Sequence, residues 1–507
     1  MMDTPADTTV IIGAGPAGLS AAHELCAARR PVVIVEQDPE HVGGIARTVS
    51  YKGFRFDIGG HRFFSKNPEI EKLWSEILGE RMLERARLSR IYYRGRFFKY
   101  PLETRDALRQ LGMFQAAACM LSYLAARLRP QHEMRSFEDW VVNAFGRRLY
   151  ETFFKSYTEK VWGIPCNQIS ADWAAQRIKD LSMRVLIKRA LGLGRSKGQV
   201  IKTLIDRFRY PLHGPGEMWE ELARTVQRRG AALHMGESVT GIQRGAGGAR
   251  AIATTAADGT RKAYAGGHFI STMPIRELVE ALEPAAPAEV RSAANSLKYR
   301  DFITVALIVD EPELFPDNWI YIHEPGVGVG RIQNFKNWSP AMVADPRYTV
   351  LGLEYFCFDS DAMWSAPDQE LVALGAREIA KLGLAREAQV VDGTVVRQRA
   401  AYPVYDGDYA RAVETIRTFI EREVPNLQLA GRNGMHKYNN QDHAMMTGLM
   451  AARNIMGASY DLWRVNSDAQ YLEEDDGAEA GLRLVPRKLA SGNGTRPHVA
   501  IESVAGR

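Results

Sequence analysis

The chain has 507 residues, enough for more than one sizeable core, with 46% hydrophobic and 25% charged residues, the profile of an ordinary globular protein. Its net charge of +5 suits an anionic ligand, and no nucleic-acid motif or zinc-ligand spacing accompanies it, so neither nucleic acid nor a metal is expected. The four cysteines are scattered without a Cys-x-x-Cys, which reads as reduced cytoplasmic thiols, and no apolar run reaches the roughly 18 residues of a spanning helix.

The first ordered stretch runs from Thr9 to Ala22. A β-branched run meets Gly13-Ala14-Gly15-Pro16-Ala17-Gly18, and a helical pattern follows. This predicts strand, tight turn and helix, starting too early to leave room for a signal peptide. Gly13 permits the turn, Gly15 lets a pyrophosphate approach the backbone, and Gly18 lets helix and strand pack closely. The helix N-terminus would offer N–H groups to the phosphates, with Pro16 and Ala17 in its first turn. The next strand, Pro31 to Val35, ends in Glu36, placed to accept hydrogen bonds from a ribose diol. The plainer alternative is a glycine turn in an ordinary α/β domain.

Gly43-Gly44-Ile45-Ala46-Arg47 follows. It resembles the GGxxR element of flavoproteins in the amine oxidase and UDP-galactopyranose mutase superfamily. The resemblance implies FAD, with Gly43 and Gly44 passing the cofactor and Arg47 on its phosphates. It also implies that Phe56 to Ser65, with Gly60 and His61, runs beside the isoalloxazine ring, where glycine lets backbone lie against the flavin.

From Ile70 to Ile91 the pattern reads as helix, then Ile91 to Tyr93 as strand, Arg94 to Arg96 as turn and Phe97 to Leu102 as extended. Leu111 to Leu128 reads as one helix, apolar on most sides. The plainer reading is a buried helix of an all-α insertion. The sharper one is a helix lying on a membrane surface. Ser136 is placed to cap the next helix through Asp139.

Phe145 to Pro165 contains Gly146-Arg147-Arg148-Leu149-Tyr150-Glu151 and Tyr157-Thr158-Glu159-Lys160-Val161-Trp162. This stretch resembles the UDP-galactopyranose mutases, closest to their eukaryotic branch, and Asp172 to Arg177 continues it. By that resemblance Tyr157 and Trp162 belong to the substrate site, with the tryptophan's neighbourhood stacking uridine, and Arg177 reaches the diphosphate. Without it, Trp162 reads as core and Arg177 as a surface ion pair. The basic stretch Arg184 to Lys202 reads as a solvated linker or a lid over an anionic substrate.

Tyr210 to Trp219 resembles the turn by which such chains re-enter the FAD domain, and Val239 is then the adenine contact. Phe302 to Val309 is a strong strand, with Asn318 to Ile322, Gly330 to Phe335 and Val350 to Phe356 as sheet partners. Arg331 resembles the mutase arginine over the flavin near the diphosphate, and Tyr355 joins the expected substrate site. Leu427 to Arg432 ends in Gly431-Arg432, where superfamily oxidoreductases usually carry Gly-Asp and the mutases Gly-Arg. Asn440-Gln441-Asp442-His443 matches the eukaryotic mutases. These five residues, Gly431, Arg432, Asn440, Gln441 and Asp442, are expected at the flavin. The resemblance spans about Thr9 to Gly457, with one departure: His436 stands where mutases carry a tyrosine, while Tyr438 remains.

The expected architecture is an α/β flavoprotein. A Rossmann-type FAD domain (1–90, 205–275 and 390–465) is interleaved with a substrate domain of helical insertion plus antiparallel sheet (91–204 and 276–389), and 476–507 form a disordered tail. The resemblance implies an isomerase-like enzyme on a nucleotide sugar or related anionic glycosyl phosphate, as in polysaccharide biosynthesis. His61, Arg177, Arg331, Tyr438 and His436 would do the catalytic work, with NADPH or NADH as external reductant. The alternative is an FAD-dependent oxidase or desaturase acting on a lipid or prenyl-linked substrate, with peripheral membrane contact.

Overall fold

A computed structural model describes residues 7–100, 104–171 and 207–466. Arg177, the basic stretch Arg184 to Lys202 and the tail 476–507 lie outside the described residues.

The β-branched run Thr9–Ile12 is fully buried, which suits a central parallel strand covered on both faces. It pairs in parallel with Val32–Glu36 on one side and His268–Ser271 on the other. Ala232–Met235 and Leu427–Leu429 complete a five-stranded parallel sheet. The helix Pro16–Ala27 packs against Gln441–Ile455 through backbone. A Cβ on Gly18 would lie 1.9 Å from the Gly13 carbonyl oxygen, and one on Gly448 would lie 2.0 Å from that of Ala17. Only glycine allows these approaches.

A second, seven-stranded sheet runs in the order Val390–Pro403, Tyr299–Val309, Thr349–Cys357, Arg331–Asn334, Trp319–Ile322, Ser89–Tyr93 and Arg96–Lys99. It is antiparallel except where Trp319–Ile322 meets Ser89–Tyr93. The turn at Arg94 and Gly95, both at positive φ, closes the last hairpin as the sequence predicts. Ser136 caps Phe137–Phe145, its Oγ accepting from Asp139 N at 3.1 Å.

Four expectations are corrected. The helix expected over Ile70 to Ile91 is Pro68–Leu78; Gly79 ends it at positive φ, and Met82–Ala86 is a strand paired with Arg207–Pro211. The boundary at 390 moves, because Val390–Pro403 pairs along Tyr299–Val309 in the second sheet. The boundary at 276 moves too, because Ile275–Glu280 and Ala288–Ser296 bury Leu278, Val279, Val290 and Ala294 in the core of the first sheet. The helix expected over Leu111 to Leu128 breaks at Gly112 (φ 81°) into Thr104–Leu111 and Met113–Leu128. It is not a buried helix: Phe114 is 92% exposed.

The Gly448 contact gives a test. Alanine favours a helix over glycine by about 1 kcal/mol, but here its methyl would strike the Ala17 carbonyl. Gly448→Ala should therefore lower the thermal midpoint, with a net loss on the order of 1–3 kcal/mol as expected of overpacking. A raised midpoint would show that the two helices separate freely.

Candidate active site

The five-stranded and seven-stranded sheets meet along the segment Phe56 to Ser65, with Phe63 in the core of the first and Gly59 and Gly60 against Arg331 and Gln333 of the second. At the first sheet, Gly15 caps Pro16–Ala27 with no side-chain cap, and the space where its Cβ would be is open to 4 Å. Glu36, at the end of its strand and 7% exposed, accepts from Ala14 N at 2.7 Å and Asp38 N at 3.0 Å. Burial raises its pKa, and the two N–H donors oppose that rise. Gly43 N donates to Ala14 O at 2.9 Å, which brings Gly44 against Gly15. Arg47 Nη1 donates to Gly44 O at 2.9 Å and Gln398 Oε1 at 2.7 Å, so the guanidinium stands beside the open helix end. Val239 sits at a bulge and packs half-buried on the first core.

At the second sheet, Arg331 and Gln333 share one face of their strand by the two-residue alternation. Glu354 lies directly across from Arg331. Its fully buried carboxylate accepts from Arg331 Nε at 2.5 Å and Gln333 Nε2 at 2.7 Å. Loss of hydration works against the Arg331 cation, but Glu354 outweighs it and holds the guanidinium charged. Gly59 has positive φ; its missing Cβ would be 3.8 Å from Arg331 Nη2, His61 Cε1 and Phe302 Cζ.

An aromatic wall faces this pair. Tyr402 and Tyr438 stack at 5.5 Å, and Trp162, 4% exposed, packs on both. Trp162 thus backs the wall rather than presenting an open face. The Arg432 guanidinium sits 4.9 Å over the Tyr438 ring and 5.4 Å over Tyr402, donating to Asn439 O and Ala401 O at 3.0 Å each. Tyr157 stacks on His323 at 4.4 Å with its phenol in the field of Arg331 and Glu354. Burial, then the charges of Arg432 and Arg331, push His61 down to about 3, so its ring is neutral at ordinary pH.

The helix Gln441–Ile455 points its N-terminus at the same segment. Gln441 Nε2 donates to Arg62 O at 2.9 Å, Asp442 accepts from Ser65 Oγ at 3.1 Å, and Asn440 is the exposed N-cap. Gly431, at positive φ, donates its N–H to Thr447 Oγ1 at 2.9 Å, which joins the turn to that helix.

Two expected site residues lie elsewhere. Tyr355 points to the opposite face of its strand from Glu354, where its hydroxyl donates to Glu378 Oε2 at 3.0 Å inside a core. His436 is buried at φ 45°, its Nε2 3.3 Å from Val404 O and its ring edge-on to Tyr299, away from the arginines. Glu354, Gln333 and Tyr402 were not anticipated. A lone acid in the apolar run Thr349–Cys357 was the available signal for Glu354.

A flavin dinucleotide fits these residues. The open helix end at Gly15 and the Glu36 carboxylate suit its adenosine diphosphate. His61 Nδ1, Gln333 Oε1 and Gln441 Oε1, all buried without partners, border the Gly59-to-Arg62 segment.

Two tests follow from this geometry. Glu36→Ala should weaken FAD binding to the stripped protein about 10- to 150-fold, as loss of one charge-assisted contact does; unchanged affinity in a fluorescence titration would remove Glu36 from the ribose. The second concerns Asp57, fully buried and accepting from Tyr210 Oη at 2.6 Å and Thr48 Oγ1 at 3.0 Å. Burial pushes its pKa up to about 8. The folded protein therefore binds this proton more tightly than the unfolded chain, and its stabilising effect fades as pH rises from about 4 to about 8. Asp57→Asn should lose that decline in a denaturation series across this range; a variant with the wild-type slope would place the titration elsewhere.

A family profile for flavin-containing amine oxidoreductases matches residues 16–456. The chain is 25% identical over 173 residues to a "Probable UDP-galactopyranose mutase" of Klebsiella pneumoniae, 32% of this chain and 42% of that protein. It is 39% identical over 95 residues to a phytoene dehydrogenase of Streptomyces griseus, 18% of each. The alignments thus span less than half the length of these curated relatives. A crystal structure of reduced UDP-galactopyranose mutase matches with a TM-score of 0.76 at 21% identity, over 90% of this chain and 94% of that one. A putrescine oxidase bound to putrescine matches at 0.59 and 17% identity, over 89% and 99%. Both structures show the shared fold. Among the described residues no helix is long and apolar enough to cross a membrane. With the family match covering most of its length, the chain belongs to the flavin-containing amine oxidoreductases and is an FAD-dependent flavoenzyme.

Proposed function

We propose that this flavoenzyme acts as a mutase on a nucleotide sugar or related glycosyl diphosphate, with the flavin reduced. The observation that carries the reading is two guanidiniums that both act on His61: Arg432 over the Tyr402–Tyr438 wall and Arg331 beside Gly59. A diphosphate leaving group needs such cations, because its negative charge grows as the C–O bond breaks. Bound FAD, once reduced, supplies the electron-rich centre for that bond cleavage. Glu354 fixes the Arg331 fork, leaving Nη1 for a phosphate oxygen. The Tyr157 and Tyr438 hydroxyls extend the anion site. Neutral His61 borders the flavin without adding a charge that titrates near pH 7. A nicotinamide dinucleotide would reduce the flavin from outside, and the cytoplasm is the compartment that suits reduced cysteines.

A redox reading, an oxidase or desaturase on a lipid-like substrate, is favoured by the exposed apolar side of Met113–Leu128 and by the short likeness to a phytoene dehydrogenase.

The flavin's fate separates the two. Dithionite-reduced protein under nitrogen should turn over its nucleotide sugar many times without an acceptor, and the oxidised protein should be inactive. Stoichiometric bleaching of the oxidised flavin by the true substrate would establish the redox reading instead. Arg331→Ala should weaken nucleoside diphosphate binding about 10- to 150-fold by calorimetry, and Arg331→Lys should recover only part of it, lacking the planar fork.

A further inference from the structure

The helix Met113–Leu128 buries only Cys119 and Tyr123. On that side it is seated backbone to backbone: a Cβ on Gly146 would lie 2.6 Å from Tyr123 N. The opposite side carries Met113, Phe114, Ala117, Leu121, Leu124 and Leu128. At 100° per residue these six fall within an arc of about 100°, the width of an apolar stripe that normally faces a core. Here it faces outward. Met113, Phe114 and Leu128 are 84% exposed or more, and no described residue covers them. The helix contains no acidic residue. A contiguous apolar stripe of this kind marks an interaction surface.

Its surroundings are basic. Arg109, Arg127, Arg129 and Arg148 are exposed around the helix, and none is ion-paired among the described residues. We propose that this face docks on an anionic lipid bilayer, the helix lying in the plane of the surface. The apolar arc enters the acyl boundary and the arginines meet headgroup phosphates. Charge complementarity supports this occupant. A second copy packed by a two-fold axis would set these cations against their equivalents. Residues 172–206 carry eight Lys/Arg against three Asp, so covering the stripe with them would also place like charges together. The inference does not rest on the mutase reading.

The test uses the full FAD-loaded chain and sedimentation with vesicles of phosphatidylcholine alone or mixed with phosphatidylglycerol. The protein should bind the anionic vesicles, and binding should fall as salt rises. Leu121→Ser/Leu124→Ser should weaken partitioning about tenfold or more, and Arg127→Glu/Arg129→Glu should abolish the preference for phosphatidylglycerol, both with an unchanged flavin spectrum as the sign of intact folding. Absence of binding to the anionic vesicles would overturn the proposal, as would equal binding by the double serine variant. So would a dimer in sedimentation equilibrium that the serine substitutions dissociate, which would give the stripe to a second copy.

Discussion

Glu354 is a carboxylate without access to water, held at the centre of the second sheet by Arg331 and Gln333. Removing one partner of such a buried pair costs far more than the pair contributes, because the remaining charge is left unsolvated. The pair therefore fixes the register of Arg331–Asn334 against Thr349–Cys357 as well as the direction of the Arg331 fork. Gln333 then meets Gly60, where a Cβ would lie 2.8 Å from its Nε2. The segment on which the flavin is expected is thus positioned from beneath by a hydrogen-bonded acid on a different sheet.

The other half of the site comes from backbone packing. Gly18 on Gly13 and Gly448 on Ala17 draw two helix N-termini toward the same sheet edge. One presents open N–H groups beside Glu36 and Arg47. The other is tied through Gln441 and Asp442 to Arg62 and Ser65. Two positive helix ends and three arginines, Arg47, Arg331 and Arg432, thus stand about the stretch from Gly43 to Ser65, an arrangement suited to an elongated polyanion.

The aromatic wall is a tertiary product. Trp162, Tyr402 and Tyr438 come from a helix end, a strand end and a loop far apart in sequence. Arg432 joins them because its donors are fixed on Ala401 O and Asn439 O, which orients its plane over both tyrosines. Neutral His61 and charged Arg331 side by side follow from the same enclosure: the arginine has a carboxylate to hold its charge, and the histidine has two cations nearby and none.

By itself the sequence determined the features that depend on short stretches of backbone. The strand, turn and helix around Gly13 to Gly18, Glu36 at the next strand's end, the Arg94-Gly95 turn and the Ser136 cap are requirements met within a few residues, so residue type reveals them. Tertiary structure alone decided which side chains face the site. Thr349–Cys357 is buried along its whole length, so no polar–apolar alternation tells Glu354's face from Tyr355's; only pairing with Arg331–Asn334 settles it. His436 was expected at the anion site, but a left-handed backbone turns it into the packing of Tyr299 and Val404. Val390–Pro403 joined the second sheet through contacts some ninety residues away along the chain. Met113–Leu128 is apolar nearly all round, so its sequence holds no signal of which side packs. The close crossing at Gly146 chose the Cys119–Tyr123 side and left the Leu121–Leu124 side facing outward.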